Sequence, residues 1–200
     1  MRQLNTSTVI LEEFYENTVP KYAILSHTWE DEEVSYQDMK DAITDVQSTK
    51  DKKGFQKIDG ACVLARKGGF RHIWIDTFYL SDVANRETAP FVTTAWLTRD
   101  VDRHGLYNGP ARRYSRWFTR GCKLQELLAP QLIEFYDERW DLIGMRSKLI
   151  DRLAFITMID AAVLSDSRVV SEMSIATRMF WAARRETTRL EDQAYSLLGT

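Results

Sequence analysis

The stretch Tyr22-Ala23-Ile24-Leu25-Ser26-His27-Thr28-Trp29 decides how the chain reads. The apolar run from Tyr22 to Leu25 gives way at once to polar and aromatic residues, and then to the acidic run Glu30-Asp31-Glu32-Glu33. A short apolar run closed by polar residues predicts a strand buried on both faces, as in a parallel sheet covered by helices. Ser26, His27, Thr28 and Trp29 then stand at its carboxyl end, the edge at which open α/β sheets bind ligands.

Downstream, Phe55, Ile58, Ala61, Cys62 and Ala65 recur at helical spacing, which predicts a helix from Gly54 to Lys67. Cys62 belongs to its apolar stripe and reads as packing rather than chemistry. Gly68-Gly69 ends the helix, because glycine accepts the left-handed backbone used at helix C-termini. Phe70 to Asp76 follows as a second buried strand. Strand, helix and strand make a right-handed parallel crossover by default, which puts Asp76 at the same sheet edge as Ser26. Upstream, residues 1 to 18 read as an approach to the first strand, with Val9, Ile10, Leu11 and Phe14 available for packing. Between the strands, Val34, Tyr36, Met39 and Ile43 suggest a short helix over Tyr36 to Val46 with an acidic start that suits its dipole. Glu30 to Ser35 reads equally as a solvated loop.

Beyond Asp76 the pattern stops adding up. Thr77-Phe78 runs straight into Tyr79-Leu80-Ser81-Asp82-Val83, another strand-like run, yet neighbouring parallel strands need a connection of about a dozen residues or more. Either 73 to 83 is one long or bent strand, or a crossover is missing. Residues 84 to 113 read mostly as loop. Cys122 to Leu128 is a short helix stopped by Ala129-Pro130, and Gln131 to Tyr136 alternates as a strand. Trp140 to Ile143 can pair with that strand through a turn at Asp137-Glu138-Arg139. Ser147 to Ile159 is amphipathic. Ser171 to Ser174 leads into a helix expected to bury Ile175, Met179 and Trp181, and a last helix is expected over Leu190 to Leu198.

Composition narrows the function classes. Two hundred residues, 44% of them hydrophobic, suffice for a substantial core. A net charge of -2 gives no electrostatic case for nucleic acid or an anionic membrane as partner. Two cysteines, Cys62 and Cys122, are too few for a disulfide scaffold, and with no signal peptide they point to a reducing, cytoplasmic setting. No apolar stretch approaches the roughly 20 residues that span a bilayer.

Several segments together, in order along nearly the whole chain, closely resemble the fungal heterokaryon incompatibility domain. They are Tyr22 to Trp29, Gly54 to Ile58, Ile73 to Asp76, Tyr79 to Asp82, Ser115 to Gly121, Leu124 to Pro130, Trp181 to Ala183 and Arg185 to Arg189. The resemblance implies an α/β fold like that of Toll/interleukin-receptor domains, a flavodoxin-like parallel sheet flanked by helices. On this basis residues 1–160 form the domain and 161–200 a truncated C-terminal helical extension of it. It also implies an intracellular signalling role in non-self recognition that ends in programmed cell death, through self-association or other signalling proteins and without a cofactor. Some relatives of that wider fold hydrolyse NAD with a glutamate beside the nicotinamide ribose. The chain departs from the family pattern where Phe78 alone stands in place of a helix-bearing crossover, so one crossover is deleted or a coding segment has been skipped. It departs again at Cys122, where the family pattern has tryptophan.

Without that helix, Asp76 and Glu87 are the acids able to approach Ser26 and Trp29, and a carboxylate there would stabilise the positive charge that develops on ribose in N-glycosidic cleavage. Asp76 reads otherwise as a strand-end residue that holds a loop, Trp29 as core rather than a stacking platform, and His27 as a hydrogen-bonded structural residue. His72 and His104 have no second ligand at metal spacing. Arg116, Arg120 and Glu126 form a second constellation, either an anion site at a short helix or an Arg-Glu pair fastening that helix to the sheet. The expected function is a non-catalytic signalling module, with NAD as a substrate of Ser26, Trp29 and Asp76 in the alternative.

Overall fold

The computed structural model describes residues 1–15, 18–41, 49–76, 92–97, 107–108 and 113–187. It divides into two compact units, Met1–Thr94 and Ala95–Thr200. The strand-like run at Tyr79 to Val83, the gap at Thr77-Phe78, Glu87, His104 and the helix expected at Leu190 to Leu198 all lie outside the described residues.

In the first unit, β1 (Arg2–Asn5) and β2 (Leu11–Glu13) form an antiparallel pair within the stretch that reads from sequence as an approach to the first strand. The reversal is short: Asn5 Oδ1 accepts the Ser7 and Thr8 N–H groups at 3.0 and 3.2 Å, and Val9 takes a φ of 56°. β3 (Tyr22–Ser26) and β4 (His72–Ile75) pair in parallel, Tyr22 beside His72 through Leu25 beside Ile75. β4 also pairs antiparallel with β1, giving the order β2-β1-β4-β3. The sheet is therefore mixed rather than wholly parallel. The parallel pair is the one read from the sequence, and its joining helices are α1 (Tyr36–Asp41) and α2 (Lys53–Lys67).

The apolar stripe of α2 is buried through Ile58, Ala61, Cys62 and Ala65, and burial pushes the Cys62 thiol up to about 12. Across β2 and β4, His72 Nε2 lies 2.9 Å from Glu12 Oε2, and this bond, with one from Asn5, holds the Glu12 carboxyl below its usual range.

α2 can approach the 32–34 segment only because position 54 is glycine. A Cβ there would stand 3.0 Å from Glu32 O, Glu33 Cα and Val34 N. Alanine is normally the better helix former by about 1 kcal/mol. Gly54→Ala is nevertheless expected to destabilise the chain by about 1–3 kcal/mol, since the clash is with backbone. Urea unfolding of the two proteins checks the sign.

The second unit packs around Trp117, Phe118 and Phe135, with Trp117 edge-on to both phenylalanines. β8 (Leu132–Tyr136) and β9 (Leu142–Met145) form the expected hairpin, and Asp137 Oδ1 accepts the Arg139 and Asp141 N–H groups at 2.9 Å to shape its turn. Leu97 N–H, following β5 (Val92–Trp96), donates to Tyr136 C=O at 2.9 Å, and β6 (Tyr107–Asn108) pairs with β7 (Arg113–Tyr114). α3 (Lys123–Leu128), α4 (Ile150–Thr157), α5 (Ala161–Ser165) and α6 (Ile175–Ala183) complete the unit. Residues from 161 onward contribute Val163, Leu164, Val170 and Trp181 to this same core.

One packing expectation fails. In α6, Trp181 and Ala182 are buried, while Ile175 and Met179 are 69% and 54% exposed. Trp181 carries the largest apolar area on the helix, and turning it inward leaves the Ile175 and Met179 face outward.

Candidate functional site

β3 and β4 end side by side. Because Leu25 lies in register with Ile75, the next residues, Ser26 and Asp76, emerge at one sheet edge, as the crossover reading requires. Ser26, His27 and Thr28 are all buried. Trp29 is not: it is 55% exposed, against the expectation that it would be core. The chain turns outward there, and Glu32 takes a φ of 61° to bring Glu33 and Val34 back in. Ser35 then opens α1 by a reciprocal cap, its Oγ accepting the Asp38 N–H at 3.2 Å and its own N–H donating to Asp38 Oδ2 at 2.7 Å.

This path places four ionisable side chains together. His27 sits between two carboxylates, with Nδ1 3.4 Å from Asp76 Oδ1 and Nε2 3.8 Å from Glu33 Oε2. Glu33 Oε1 is bonded by Lys57 Nζ and accepts the Glu30 N–H at 3.1 Å. Side-chain exposure is 0% for His27, 4% for Lys57, 9% for Glu33 and 22% for Asp76, so only Asp76 has appreciable access to solvent. Lys57 offsets the Glu33 carboxylate, and the imidazole stands between that carboxylate and Asp76. The cluster therefore links the strand ends, the 27–34 segment and α2.

Glu33 and Lys57 were not singled out from sequence. Glu33 stood in an acidic run that reads equally as a solvated loop, and Lys57 reads as lying off the apolar face of its helix, where the structure instead buries it. The usable signal was the spacing of Lys57 from Gly54 and Ala61, three and four residues away on the same side of the helix.

The second constellation lies in the other unit. Arg116 is exposed and Arg120 half-buried. Glu126 is held by the buried Lys123 at 3.0 Å. Arg185 donates to Arg120 C=O at 3.2 Å, and Gly121 N–H donates to Glu186 C=O at 2.9 Å, so the Arg120-Gly121 backbone receives the 185–186 segment. Burial lowers the Arg185 guanidinium to about 10, despite the opposing influence of Cys122. The short helix of this constellation, α3, is six residues long. Among the described residues no group of His, Cys, Asp and Glu is arranged to hold a metal ion.

The chain is similar in sequence to the vegetative incompatibility protein HET-E-1 of Podospora anserina. The two are 34% identical over 200 aligned residues, which cover 90% of this chain and 14% of HET-E-1. The chain is thus related to a fungal incompatibility protein, of whose length it spans about one seventh. No family model matches the chain, and no solved structure matches it. Among the described residues no helix is long and apolar enough to cross a membrane.

Removing one member of the buried pair should cost more than removing both charges. Lys57→Met leaves Glu33 buried without its cation and is expected to cost about 3 kcal/mol, whereas Glu33→Gln combined with Lys57→Met should recover a good part of that loss. A double-mutant cycle by denaturant unfolding reads the difference.

Proposed function

We propose that this chain acts in fungal vegetative incompatibility as a non-catalytic signalling module, working through contact with other signalling proteins or with itself. The relation to HET-E-1 supports the process. The mode rests on one observation: the ionisable groups of the strand-end cluster face one another within the protein, and Trp29, 55% exposed, is presented outward at the head of the exposed acidic segment Glu30 to Glu32. A tryptophan at a protein surface is the kind of side chain that anchors protein contacts. Programmed cell death is the outcome such a module would trigger. The parallel β3–β4 pair joined through α2 supports reading its architecture as related to Toll/interleukin-receptor domains.

A second reading, NAD hydrolysis using Ser26, Trp29 and Asp76, draws on the part-open Asp76 carboxylate, 22% exposed at the strand end. A carboxylate so placed could stabilise a ribosyl cation. Purified protein incubated with NAD separates the two. The signalling reading expects no nicotinamide release above that of the Asp76→Ala variant. It further expects that expression in a fungal host arrests growth and that Trp29→Ala relieves the arrest. Nicotinamide release abolished by Asp76→Ala would replace this reading with the enzymatic one.

A further inference from the structure

The second unit turns one helix face to solvent without charge on it. In α6, Ile175, Ala176, Met179, Phe180 and Ala183 are all exposed, and their spacing places them on one side of the helix, opposite the buried Trp181. Ile175, Met179 and Phe180 are each about half exposed or more. Neighbours at three- and four-residue intervals touch along a helix, so these side chains form a continuous apolar stripe rather than scattered points. A continuous apolar patch on a folded protein marks a contact surface.

The charges at the two ends of the stripe say what fits it. Glu172 is exposed and stands two residues ahead of the Ser174 N-cap. Arg184 is exposed at the C-cap, and its guanidinium carbon lies 6.0 Å from the centre of the Phe180 ring, which puts its charge on the stripe's own side. Neither residue is ion-paired among the described residues. Of the other charges nearby, Arg178 is half-buried and off the stripe, and Arg168 is paired with Asp166 at 2.7 Å. Glu186, beyond the helix, is bonded through its backbone to Thr119 and Gly121.

An apolar stripe with an acid at one end and a base at the other is complementary to itself when turned end for end. Two copies of α6 laid antiparallel set stripe on stripe and bring Glu172 of each toward Arg184 of the other. Laid parallel, they would set acid on acid and base on base. Opposed helix dipoles favour the same antiparallel arrangement. The small Ala176 and Ala183 leave hollows between the larger side chains for those of the other copy.

We propose that the exposed face of α6 binds a second copy of this chain in an antiparallel, two-fold contact. One stripe on a nine-residue helix covers less than the roughly 1,200 Å² that stable complexes bury, so the association is weak and responds to local concentration. The proposal deepens the signalling reading, on which its use in the cell rests, by giving self-contact a surface apart from Trp29. The two fail separately: nicotinamide release abolished by Asp76→Ala would remove the signalling reading and leave the dimer standing, whereas a monomeric chain would remove the dimer and say nothing about NAD.

Sedimentation velocity of the full chain from roughly 1 μM to 1 mM tests it, with a monomer–dimer equilibrium expected within that range. Met179→Lys is expected to weaken the dimer by about tenfold or more. Glu172→Arg and Arg184→Glu should each weaken it by about threefold or more, while an equimolar mixture of those two variants associates more tightly than either alone, because opposite charges then meet at both ends. All three positions are exposed, so the variants leave the core intact. A chain that stays monomeric throughout would overturn the proposal and leave the stripe to a different protein. So would dimers indifferent to Met179→Lys, or a mixture of the two charge variants no tighter than its components.

Discussion

A buried imidazole between two carboxylates sets the terms for the first unit. His27 contacts both Glu33 and Asp76, and Glu33 reaches on to Lys57. Charges taken out of water are costly unless each finds a partner, so these four positions constrain one another. The consequences run outward through the backbone. Glu33 must return from the turn at Glu32, whose φ is 61°, and α2 must come close enough for Lys57 to meet it, which Gly54 alone permits. The cluster links β3, the 27–34 segment, α2 and β4 alongside the buried apolar stripe of α2.

In the second unit Lys123 again meets a carboxylate, Glu126, but two buried arginines are accommodated differently. Arg146 donates to Leu127 C=O at 2.7 Å, with further bonds to the Leu128 and Gln131 carbonyls, and so satisfies the C-terminal end of α3, where Pro130 prevents the helix from continuing. Burial pulls its guanidinium below its usual range. Arg185 likewise meets a carbonyl, that of Arg120. Partial charges at helix ends and bends thus serve as counter-groups where no carboxylate is supplied.

Much of the framework was legible in the residues, and the reasons are local. The apolar run Tyr22 to Leu25, the periodicity of α2 and the glycines after it specify their elements through nearest neighbours, so the parallel pair and the meeting of Ser26 with Asp76 follow. The hairpin of β8 and β9 was equally plain from alternation and turn residues. What escaped was decided by tertiary partners. Arg2–Asn5 and Leu11–Glu13 are too short to show a period, and become strands by pairing with each other and with β4. Trp29 looked like core because tryptophan usually is, but the chain reverses at that point. In α6 the apolar residues outnumber the places available inside, and only the fold shows that Trp181 takes precedence. Glu33 and Lys57 lie far apart in sequence and acquire a role only when α2 crosses the acidic segment.

The dependence of the strand ends on the charge cluster can be read directly by amide hydrogen exchange on Asp76→Asn beside the unchanged protein. If His27 and its carboxylates hold this edge together, protection should fall at residues 27–34 and in the first turn of α2, while amides of β8, β9 and α4 exchange as before. Unaltered protection across 27–34 would contradict the account, leaving the apolar stripe of α2 as sufficient to fix this edge of the sheet.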